Sequence, residues 1–440
     1  MPKAILKNLK SLYHLVLNHI INILLGKPSE SLIVIGITGT KGKTSTVYAL
    51  YQTLIKLGLK VGLTSSVYSS NGIELSKNKI RNSMPGRGQI HRLMLEAKNN
   101  GATVFIVEVT SEGLAQNRHR GIHFDSVVIT NLYPEHLEAH GGFENYKKAK
   151  GLLFQSFQKS QSKKINSKLI EPLAWVNQDD KYQNYYRNLT QKQVYSTGQS
   201  SQANLQMLSI KSGQNGLDFR YKDNNSKEEY NVITPVLGEF MGYNLLFVIG
   251  VANWLGCDYK KINQALSSLN DIPGRMNKVA TNPTIFVDYA HIPEALEKVY
   301  QTINTSFKSN NSKTIAILGS CGGGRDTWKR SPMGKVAGQM NDYVIITDED
   351  PYDENPQEII DKVFSGVVEA SKIENKNAWR ILSRLEAFQK ALDLAQKEDI
   401  IIITGKGSET SIIRANGVKE SWNDAEEILK LLSKKQYGKI

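Results

Sequence analysis

Cysteine is scarce in this chain, and arginine-rich patches are missing from it. Only Cys257 and Cys321 occur among the 440 residues, which excludes a disulfide framework and a cysteine-based zinc site. A reduced, cytosolic setting fits this cysteine usage. The net charge is +13, but no arginine stripe or aromatic-interleaved basic patch accompanies it, so we expect no nucleic-acid partner. The charge indicates a lysine-rich surface, with attraction of polyanions such as nucleotides as the alternative.

An uninterrupted apolar run near the N-terminus is also lacking. Residues 15–25 come close, and three lysines precede them, as in a signal peptide. However, two asparagines and a histidine interrupt the stretch, no small-residue cleavage site follows, and it is too short and polar to span a bilayer comfortably. We therefore expect residues 1–30 to form a helical segment packed on the domain that follows. Contact of residues 1–26 with a membrane surface is the alternative.

A glycine-rich turn between an apolar strand and a helix is the most informative motif. Residues 35–46 read IGITGTKGKTST, and the backbone N–H groups of such a turn face an anion. Lys43 would reach the β- and γ-phosphates of a nucleotide, and the Thr44 hydroxyl would bind Mg²⁺. The general pattern requires glycine where this chain has Ile37, so the match is to the narrower T-G-T-x-G-K-T. The residues expected to bind ATP in this turn are Gly39, Thr40, Lys41, Gly42, Lys43, Thr44 and Ser45.

Strand-like apolar runs alternate with helix-like segments through almost the whole chain. This alternation predicts an α/β fold with mainly parallel sheets. We expect residues 31–275 to form a central P-loop ATPase domain and residues 276–440 to form a C-terminal Rossmann-like α/β domain. The stretch from 160 to 235 is rich in Gln, Asn, Ser and Lys, which predicts antiparallel hairpins at the edge of the first domain.

Several other chemically suggestive residues also follow strand-like runs. Ligands of open parallel sheets bind at the carboxyl ends of the strands, so these residues mark candidate sites. Beside a phosphate loop, Glu108 at the end of the next strand is expected to bind Mg²⁺. His136 and Lys150 carry weak signals alone, because a single histidine is usually structural and a helix lysine usually solvated.

Eight motifs, taken together, resemble those of a known family. They are TGTKGKT at Thr38–Thr44, EVTSEGL at Glu108–Leu114, TNLYPEHLEAH at Thr130–His140, YKKAK at Tyr146–Lys150, PGRM at Pro273–Met276, DYAH at Asp288–His291, GGGRDTWKRSPM at Gly322–Met333 and GKGSE at Gly405–Glu409. The order and spacing of these motifs resemble those of the Mur ligase family, the ATP-dependent amide-forming enzymes of peptidoglycan assembly. Within the family the chain is most similar to the UDP-N-acetylmuramyl-tripeptide synthetase branch.

The resemblance implies a site that uses ATP and two Mg²⁺ ions. Its catalytic residues would be Lys43, Lys150, Glu108 and His136. The metal ions would be held by Thr44, Glu108, His136 and Lys150, the last as a carbamate formed with CO₂. Such a carbamate turns a cation into an anion, which a site with two divalent ions requires.

The resemblance also assigns residues to each ligand. The nucleotide would contact Arg275, Asp288 and His291 besides the phosphate loop. The acceptor would contact Asn82, Ser83, Met84, Thr110, Gln116 and Arg118. The incoming amino acid would contact Arg325, Asp350, Tyr352, Gly405 and Glu409. The implied enzyme is a cytoplasmic monomer that adds an amino acid to a muramyl-peptide-like carboxylate through an acyl phosphate, because ATP makes that poor electrophile reactive.

Two departures from the family pattern bear on the substrates. About thirty residues precede the phosphate-loop strand, too few for the uridine-nucleotide domain of this branch, so we expect an acceptor held by its peptide and sugar, or a lipid-linked or different carboxylate. Residues 348–352 read DEDPY where diaminopimelate-adding members have D-N-P-R, which removes a bidentate carboxylate contact. Asp350 would suit the ammonium of lysine or ornithine, whereas Arg325 and Glu409 match diaminopimelate contacts. A diamino acid is therefore expected, and lysine, ornithine and diaminopimelate all remain open.

Two alternative functions are kept. One is a related ligase of folylpolyglutamate or cyanophycin type that acts on a non-UDP acceptor, although DYAH and GGGRD lean toward the cell-wall branch. The other is a nucleotide-dependent scaffold without catalysis, which the intact Lys43, Glu108, His136 and Lys150 disfavour.

Overall fold

The computed structural model describes residues 3–78 and 82–437, with side chains described from residue 11 to residue 435. Residues 1–2 and 438–440, at the ends of the expected terminal segments, lie outside this description. Parallel sheets with helices between their strands confirm the predicted α/β class.

The chain divides into two compact units. The first comprises residues up to 211 together with 217–235 and 239–270. The second runs from residue 271 and also includes the short segments 212–216 and 236–238.

Strands and helices both recur along residues 3–270, with some strands following one another directly. The strands are Ile33–Thr38 (β1), Val61–Thr64 (β2), Tyr68–Asn71 (β3), Leu75–Lys77 (β4), Val104–Glu108 (β5), Ser126–Ile129 (β6), Lys163–Ile165 (β7), Lys168–Ile170 (β8), Leu173–Asn177 (β9), Gln193–Gly198 (β10), Leu205–Gly213 (β11), Gly216–Asp223 (β12) and Glu229–Thr234 (β13). The helices are Lys3–Leu24 (α1), Lys43–Lys56 (α2), Gln89–Asn99 (α3), Ser111–Ala115 (α4), Leu137–His140 (α5), Phe143–Phe157 (α6), Gln183–Arg187 (α7), Glu239–Trp254 (α8) and Tyr259–Leu266 (α9). A 3₁₀ turn at Pro28–Ser31 lies between α1 and β1.

Eleven of the described strands form one sheet, in the order β13-β12-β11-β10-β9-β6-β1-β5-β2-β3-β4. The strands from β11 to β2 in this order run parallel, whereas β12–β13 and β2–β3–β4 pair antiparallel at the two ends. All six residues of β1 are buried, as expected for a parallel strand covered by helices on both faces.

The hairpins predicted between residues 160 and 235 are confirmed only in part. Strands β7–β8 and β12–β13 are antiparallel hairpins. The prediction is wrong for β9 and β10, which pair in parallel with β6 and with each other and so extend the central sheet. Their short length and polar surroundings hid a buried parallel strand, Leu173–Asn177, from the sequence pattern.

The register of the parallel strands brings the predicted site residues to one edge. Ile37 pairs with Glu108 across β1 and β5, and Thr38 pairs with Ile129 across β1 and β6. The phosphate loop that follows β1 therefore lies between the ends of β5 and β6, the placement typical of ligand sites in open parallel sheets.

Helix α1 ends where two consecutive residues take left-handed backbone conformations, Gly26 with φ 67° and Lys27 with φ 49°. The break lets the chain turn into the 3₁₀ segment and β1. Across the part of the chain that the structure describes, the helices lack the combined length and apolar character that crossing a membrane requires.

The second unit has its own parallel sheet. Its strands are Asn277–Thr281 (β14), Thr284–Val287 (β15), Thr314–Leu318 (β16), Tyr343–Thr347 (β17), Ala378–Ile381 (β18), Ile400–Ile403 (β19), Ser411–Ile413 (β20) and Lys419–Ser421 (β21), and its helices are Pro293–Ser306 (α10), Arg330–Met340 (α11), Pro356–Glu369 (α12), Arg384–Leu394 (α13) and Asp424–Tyr437 (α14). Six strands form a sheet in the order β14-β15-β19-β16-β17-β18, parallel except for β14. Strands β20 and β21 form a separate hairpin.

Candidate active site

Two glycines of the phosphate loop are required by their surroundings. Gly39 has φ 148°, and a Cβ on it would lie 1.9 Å from Oγ1 of Thr130. Gly42 has φ 82° and precedes α2, and a Cβ there would lie 2.5 Å from Oδ1 of Asn244. Both positions combine a backbone conformation that favours glycine with a neighbour too close for any side chain. The turn is therefore tightly defined by the elements around it.

The loop is also held by hydrogen bonds from the end of β6. The backbone N–H of Thr40 donates to the carbonyl of Asn131 (2.9 Å), and that of Lys41 donates to Oδ1 of Asn131 (2.9 Å). Oγ1 of Thr130 donates to the carbonyl of Lys41 (2.6 Å). Asn131 and Thr130 thus fix the shape of the turn, a role that their place in the TNLYPEHLEAH motif did not reveal.

Lys43 begins α2 and lies over its own loop. Its Nζ donates to the carbonyls of Gly39 and Thr40, both at 2.9 Å. Ser45 follows in the same first turn and is buried. The lysine charge is therefore concentrated at the N-terminus of a helix, where an anion is already favoured by the helix dipole.

Thr44 and Glu108 are joined through a serine that sequence reasoning missed. Oγ1 of Thr44 lies 3.0 Å from Oγ of Ser66, and the Ser66 backbone N–H donates to Oε2 of Glu108 (3.0 Å). The other oxygen, Oε1, accepts from Oγ of Ser83 (2.9 Å). Ser66 lies in the β2–β3 connection, which carries no recognisable motif, so only the fold reveals it.

Lys150, on α6, is buried against the same loop. Its Nζ donates to the carbonyl of Gly39 (2.7 Å) and lies 4.6 Å from the centre of the Tyr146 ring. Burial, followed by the positive charge of Lys43, holds the pKa of Lys150 well below its ordinary value. The sequence alone suggested a solvated helix lysine, but the side chain is 1% exposed.

His136 precedes α5 in a left-handed conformation, with φ 55°. Its ring makes an edge contact with Tyr146, with the ring centres 6.1 Å apart. Burial, opposed by Glu135 and reinforced by Lys150, lowers the pKa of His136 to about 4. The imidazole is therefore neutral at ordinary pH, the form in which it binds a metal.

Glu135 is a second acidic group that sequence reasoning missed. It is 5% exposed and accepts from Nζ of Lys41 at 2.7 Å. Glu135 lies within the TNLYPEHLEAH motif, so the sequence shows the acid but does not show that Lys41 is its partner. It partly balances the three lysines at positions 41, 43 and 150.

The six predicted acceptor contacts lie together around α4. Thr110 caps this helix, and Oγ1 of Thr110 accepts from the N–H of Gly113 (3.1 Å). Nη1 of Arg118 donates to the carbonyl of Met84 (2.9 Å), and its Nη2 donates to Oε1 of Gln116 (2.6 Å). The N–H of Met84 donates to Oδ1 of Asn82 (3.0 Å), and Ser83 connects this group to Glu108.

The three nucleotide contacts predicted in the second unit meet near Tyr289. The guanidinium of Arg275 lies 4.4 Å from the Tyr289 ring centre, and the His291 ring packs edge-on against the same tyrosine at 4.7 Å. The Asp288 carboxylate accepts from the N–H groups of Met276 and Ala290, both at 2.7 Å. Asp288 thus stabilises the two loops that carry the other residues.

The predicted amino-acid contacts form two groups in the second unit. Nη2 of Arg325 lies 3.3 Å from the Tyr352 hydroxyl. Asp350 is 4% exposed and accepts from Nζ of Lys406 (2.9 Å), which also donates to Glu409 (2.8 Å). The ammonium opposite Asp350 is therefore supplied by the chain itself, a feature that the motif comparison did not reveal.

Gly405 lies against a further buried carboxyl group. Its φ is 107°, and a Cβ there would lie 2.2 Å from Oε2 of Glu349. Glu349 accepts from Sγ of Cys321 at 3.0 Å, and its Oε2 has no hydrogen-bond partner among the described residues. Burial raises the pKa of Glu349.

Comparison with known proteins identifies both halves of the chain. Residues 37–252 match the Mur ligase middle domain, and residues 274–407 match the Mur ligase glutamate ligase domain. A UDP-N-acetylmuramoyl-L-alanyl-D-glutamate--2,6-diaminopimelate ligase of Aquifex aeolicus is 33% identical over 408 residues, which cover 92% of this chain and 79% of the relative. A UDP-N-acetylmuramyl-tripeptide synthetase of Borreliella burgdorferi is 34% identical over 413 residues, covering 92% and 78%.

Solved structures show the same fold. A UDP-N-acetylmuramoyl-L-alanyl-D-glutamate--2,6-diaminopimelate ligase superposes with a TM-score of 0.61 at 25% identity, over 92% of this chain and 79% of that one. A folylpolyglutamate synthase of Mycobacterium tuberculosis reaches a TM-score of 0.67 at 17% identity, over 89% and 92%, a likeness of fold alone. With both domain matches and relatives above 30% identity along most of its length, the chain belongs to the Mur ligase family of ATP-dependent ligases.

Proposed function

We propose that this enzyme joins an amino acid, expected to be a diamino acid, to the carboxylate of a muramyl-peptide-like acceptor. ATP would convert that carboxylate to an acyl phosphate, the amine would attack the acyl carbon, and phosphate would leave. The relatives named as tripeptide synthetases and diaminopimelate ligases support this substrate class.

One observation carries the proposal. The Glu108 carboxylate uses one oxygen toward Ser66 and the phosphate loop, and the other toward Ser83 in the predicted acceptor group. A single buried side chain therefore connects the residues expected to bind ATP with those expected to bind the carboxylate that ATP activates. This adjacency is what a phosphoryl transfer from ATP to the acceptor requires.

The oxygen atoms around Glu108 fit Mg²⁺. Thr44, Ser66 and Ser83 supply hydroxyl groups, and Glu108 supplies the carboxylate, which is the hard oxygen donor set that Mg²⁺ prefers. Mg²⁺ usually takes only one or two carboxylates together with phosphate oxygens. When bound here, it would neutralise charge on the transferred phosphoryl group.

The environment of Lys150 supports its conversion to a carbamate. A neutral amine is needed to bond to the carbon of CO₂ with release of a proton, and the lowered pKa of Lys150 provides that form. The ammonium form of Lys150 is repelled by Lys41 and Lys43, whereas the carbamate anion would be attracted by them. Neutral His136 nearby would complete the donors expected for a second metal ion.

The chain's own lysines would hold the phosphoryl group during transfer. Nζ of Lys43 lies at the helix N-terminus, and its present acceptors are carbonyls of the loop. Exchange of these carbonyls for phosphate oxygens would bring the charge onto the reacting group. Fixed donors of this kind stabilise charge that develops in the transition state.

On the amino-acid side, Arg325 with Tyr352 and the carboxylate of Glu409 are proposed to contact the two ends of the substrate. Glu409 is the more exposed acid, at 36% for its side chain against 6% for Asp350. Asp350 would then act through Lys406, which it holds beside Glu409. An acid in one group and an arginine in the other suit a substrate with both ammonium and carboxylate ends.

We further propose that the enzyme works as a monomer in the cytoplasm. Both described cysteines are free thiols, which fits a reducing compartment. The phosphate loop, metal donors and acceptor group all come from one chain, so assembly with a second copy is not needed to complete them.

A phosphate-release screen tests the function. UDP-muramyl-dipeptide is offered first, with lysine, ornithine or meso-diaminopimelate, and release is expected only when ATP, acceptor and amino acid are all present. Lys43→Ala should abolish release, whereas substitution of the distant Lys60 should not. Turnover with a folate or polyaspartate acceptor, and none with any muramyl acceptor, would reject the cell-wall function.

A further inference from the structure

Helix α1 packs on the first unit with its polar side. Nδ2 of Asn18 donates to the carbonyls of Asn117 (3.2 Å) and Arg118 (3.3 Å), and its Oδ1 accepts from the N–H of Gly88 (3.0 Å). Oγ of Ser11 donates to the carbonyl of Ala115 at 3.3 Å. Asn18 is 1% exposed, so polar side chains supply much of this contact.

The contact is close enough that two glycines are needed beneath the helix. A Cβ on Gly86 would lie 2.4 Å from Cε1 of His14, and a Cβ on Gly88 would lie 2.5 Å from Cδ1 of Ile21. Burial, and then the charges of Arg118 and Arg87, lower the pKa of His14. Helix α1 therefore packs closely on the segment that contains Gly86 and Gly88, with His14 near Arg87 and Arg118.

The opposite side of α1 is apolar and exposed. A helix that packs on a soluble protein normally turns its apolar side inward, whereas α1 buries Asn18, Ile21 and Asn22 and leaves most of its large apolar side chains exposed. The side chains on this outer face, with their exposed fractions, are Leu12 57%, Tyr13 51%, Leu15 36%, Val16 51%, Ile20 49%, Ile23 54% and Leu24 77%. We call these seven residues the outer face.

Exposed cations flank the described part of helix α1. The first acidic residue of the chain is Glu30, whereas lysines occur at positions 3, 7, 10 and 27. Of these lysines, the exposed Lys27 follows the C-terminal end of the helix, and the segment packed against the helix adds the exposed Arg87 and, in α3, the exposed Arg92. An apolar helical surface bordered by cations is the pattern of a helix that lies in the plane of a membrane surface.

We propose that the outer face of α1 inserts among the acyl chains of an anionic membrane surface, with the basic residues around it contacting lipid headgroups. The helix would lie on the bilayer without crossing it. This inference concerns where the enzyme works and does not depend on the proposed reaction.

Charge favours a lipid surface over a second copy of the chain. Two outer faces packed together would bring Lys27, Arg87 and Arg92 of both copies closer together, and like charges repel. Anionic headgroups would instead attract these cations. Tyr13 is also suited to the boundary between acyl chains and water.

Vesicle sedimentation with the full chain tests the proposal. We expect binding to vesicles of phosphatidylcholine with phosphatidylglycerol, weaker binding to phosphatidylcholine alone, and weakening by salt. The variant Leu12→Ser, Val16→Ser, Ile20→Ser should lower the partition coefficient at least about tenfold, because three side chains lose their apolar insertion.

The matched control is Leu169→Ser, Val368→Ser, Ile373→Ser, which changes the same residue types at 53%, 54% and 55% exposure elsewhere. It should bind vesicles like the unaltered chain. Equal binding by the outer-face variant, or no binding of the unaltered chain to anionic vesicles, would overturn the proposal. So would light scattering that shows a dimer which the outer-face variant separates. Because binding is measured without turnover, these outcomes are independent of the phosphate-release screen.

Discussion

At the scale of single residues, the ionisation state of Lys150 is set by where it lies. The side chain is buried against the phosphate loop, next to Lys43, so the charged form of its amine is disfavoured. A residue that appears in the sequence as one of three lysines in YKKAK is therefore chemically unlike the other two. Lys148, two positions earlier, is exposed.

Replacing Lys150 by alanine should abolish phosphate release, because the site would lose the anion that a carbamate supplies. Short carboxylates such as acetate should restore part of the activity by occupying the space. Lys148→Ala on the same helix is the control and should keep activity. Full activity of Lys150→Ala without added carboxylate would rule out the carbamate.

Gly39→Ala should be more damaging than an ordinary glycine substitution. The new Cβ would overlap Oγ1 of Thr130 at 1.9 Å in addition to the strain at φ 148°. We expect a loss of more than about 2 kcal/mol in the free energy of unfolding and no phosphate release. Gly142→Ala is the matched control, since φ is 114° there but nothing lies within 4 Å; it should cost about 1 kcal/mol in urea denaturation. Equal losses would refute the role of Thr130.

At the scale of elements, the β2–β3 connection contributes to the metal site although no motif marks it. Ser66 contacts both Thr44 and Glu108, which come from α2 and β5. The backbone of the connection is shaped by Ser65, whose Oγ donates to the Tyr68 carbonyl at 2.9 Å. Three elements therefore converge on one set of oxygen donors.

Ser66→Ala should raise the Mg²⁺ concentration needed for half-maximal phosphate release by about tenfold, the effect typical of residues that orient metal ligands. Ser69→Ala, in β3, removes a hydroxyl whose Oγ lies 3.4 Å from Oγ of the exposed Ser76, and it should leave the Mg²⁺ dependence unchanged. A titration of activity against Mg²⁺ distinguishes them. An unchanged titration for Ser66→Ala would remove this serine from the site.

At the scale of the whole molecule, stability should depend on pH through His136. Its pKa is about 4 in the folded chain and about 6.5 when unfolded, so the unfolded chain binds the proton first as the pH falls. Stability from this group is therefore complete above pH 6.5 and is lost between there and pH 4.

His136→Gln should accordingly lose less stability than the unaltered chain when the pH is lowered through that window. Urea midpoints measured at several pH values provide the comparison, and other buried histidines contribute equally to both proteins. Parallel curves would show that His136 is protonated as easily in the folded chain as in the unfolded one.

The sequence was sufficient for the α/β class, the Mur ligase resemblance and the general function, because contiguous motifs follow buried strands and ligand-binding loops recur at strand ends. It was insufficient where partners come from distant segments. Ser66 has no local signature, and the GKGSE motif that contains Lys406 does not reveal its pairing with Asp350, which changes what that aspartate offers to a substrate. Strands β9 and β10 were misread because short, polar-flanked strands resemble hairpins until their parallel neighbours are known.

The divided use of the Glu108 carboxylate has a thermodynamic consequence. One oxygen serves the phosphate-loop side through Ser66, and the other serves Ser83. Any ligand that draws Glu108 toward one side changes the hydrogen bonding available on the other. Linkage requires that the coupling be reciprocal, so a metal ion that tightens acceptor binding by some factor must itself be bound more tightly, by the same factor, once the acceptor is present.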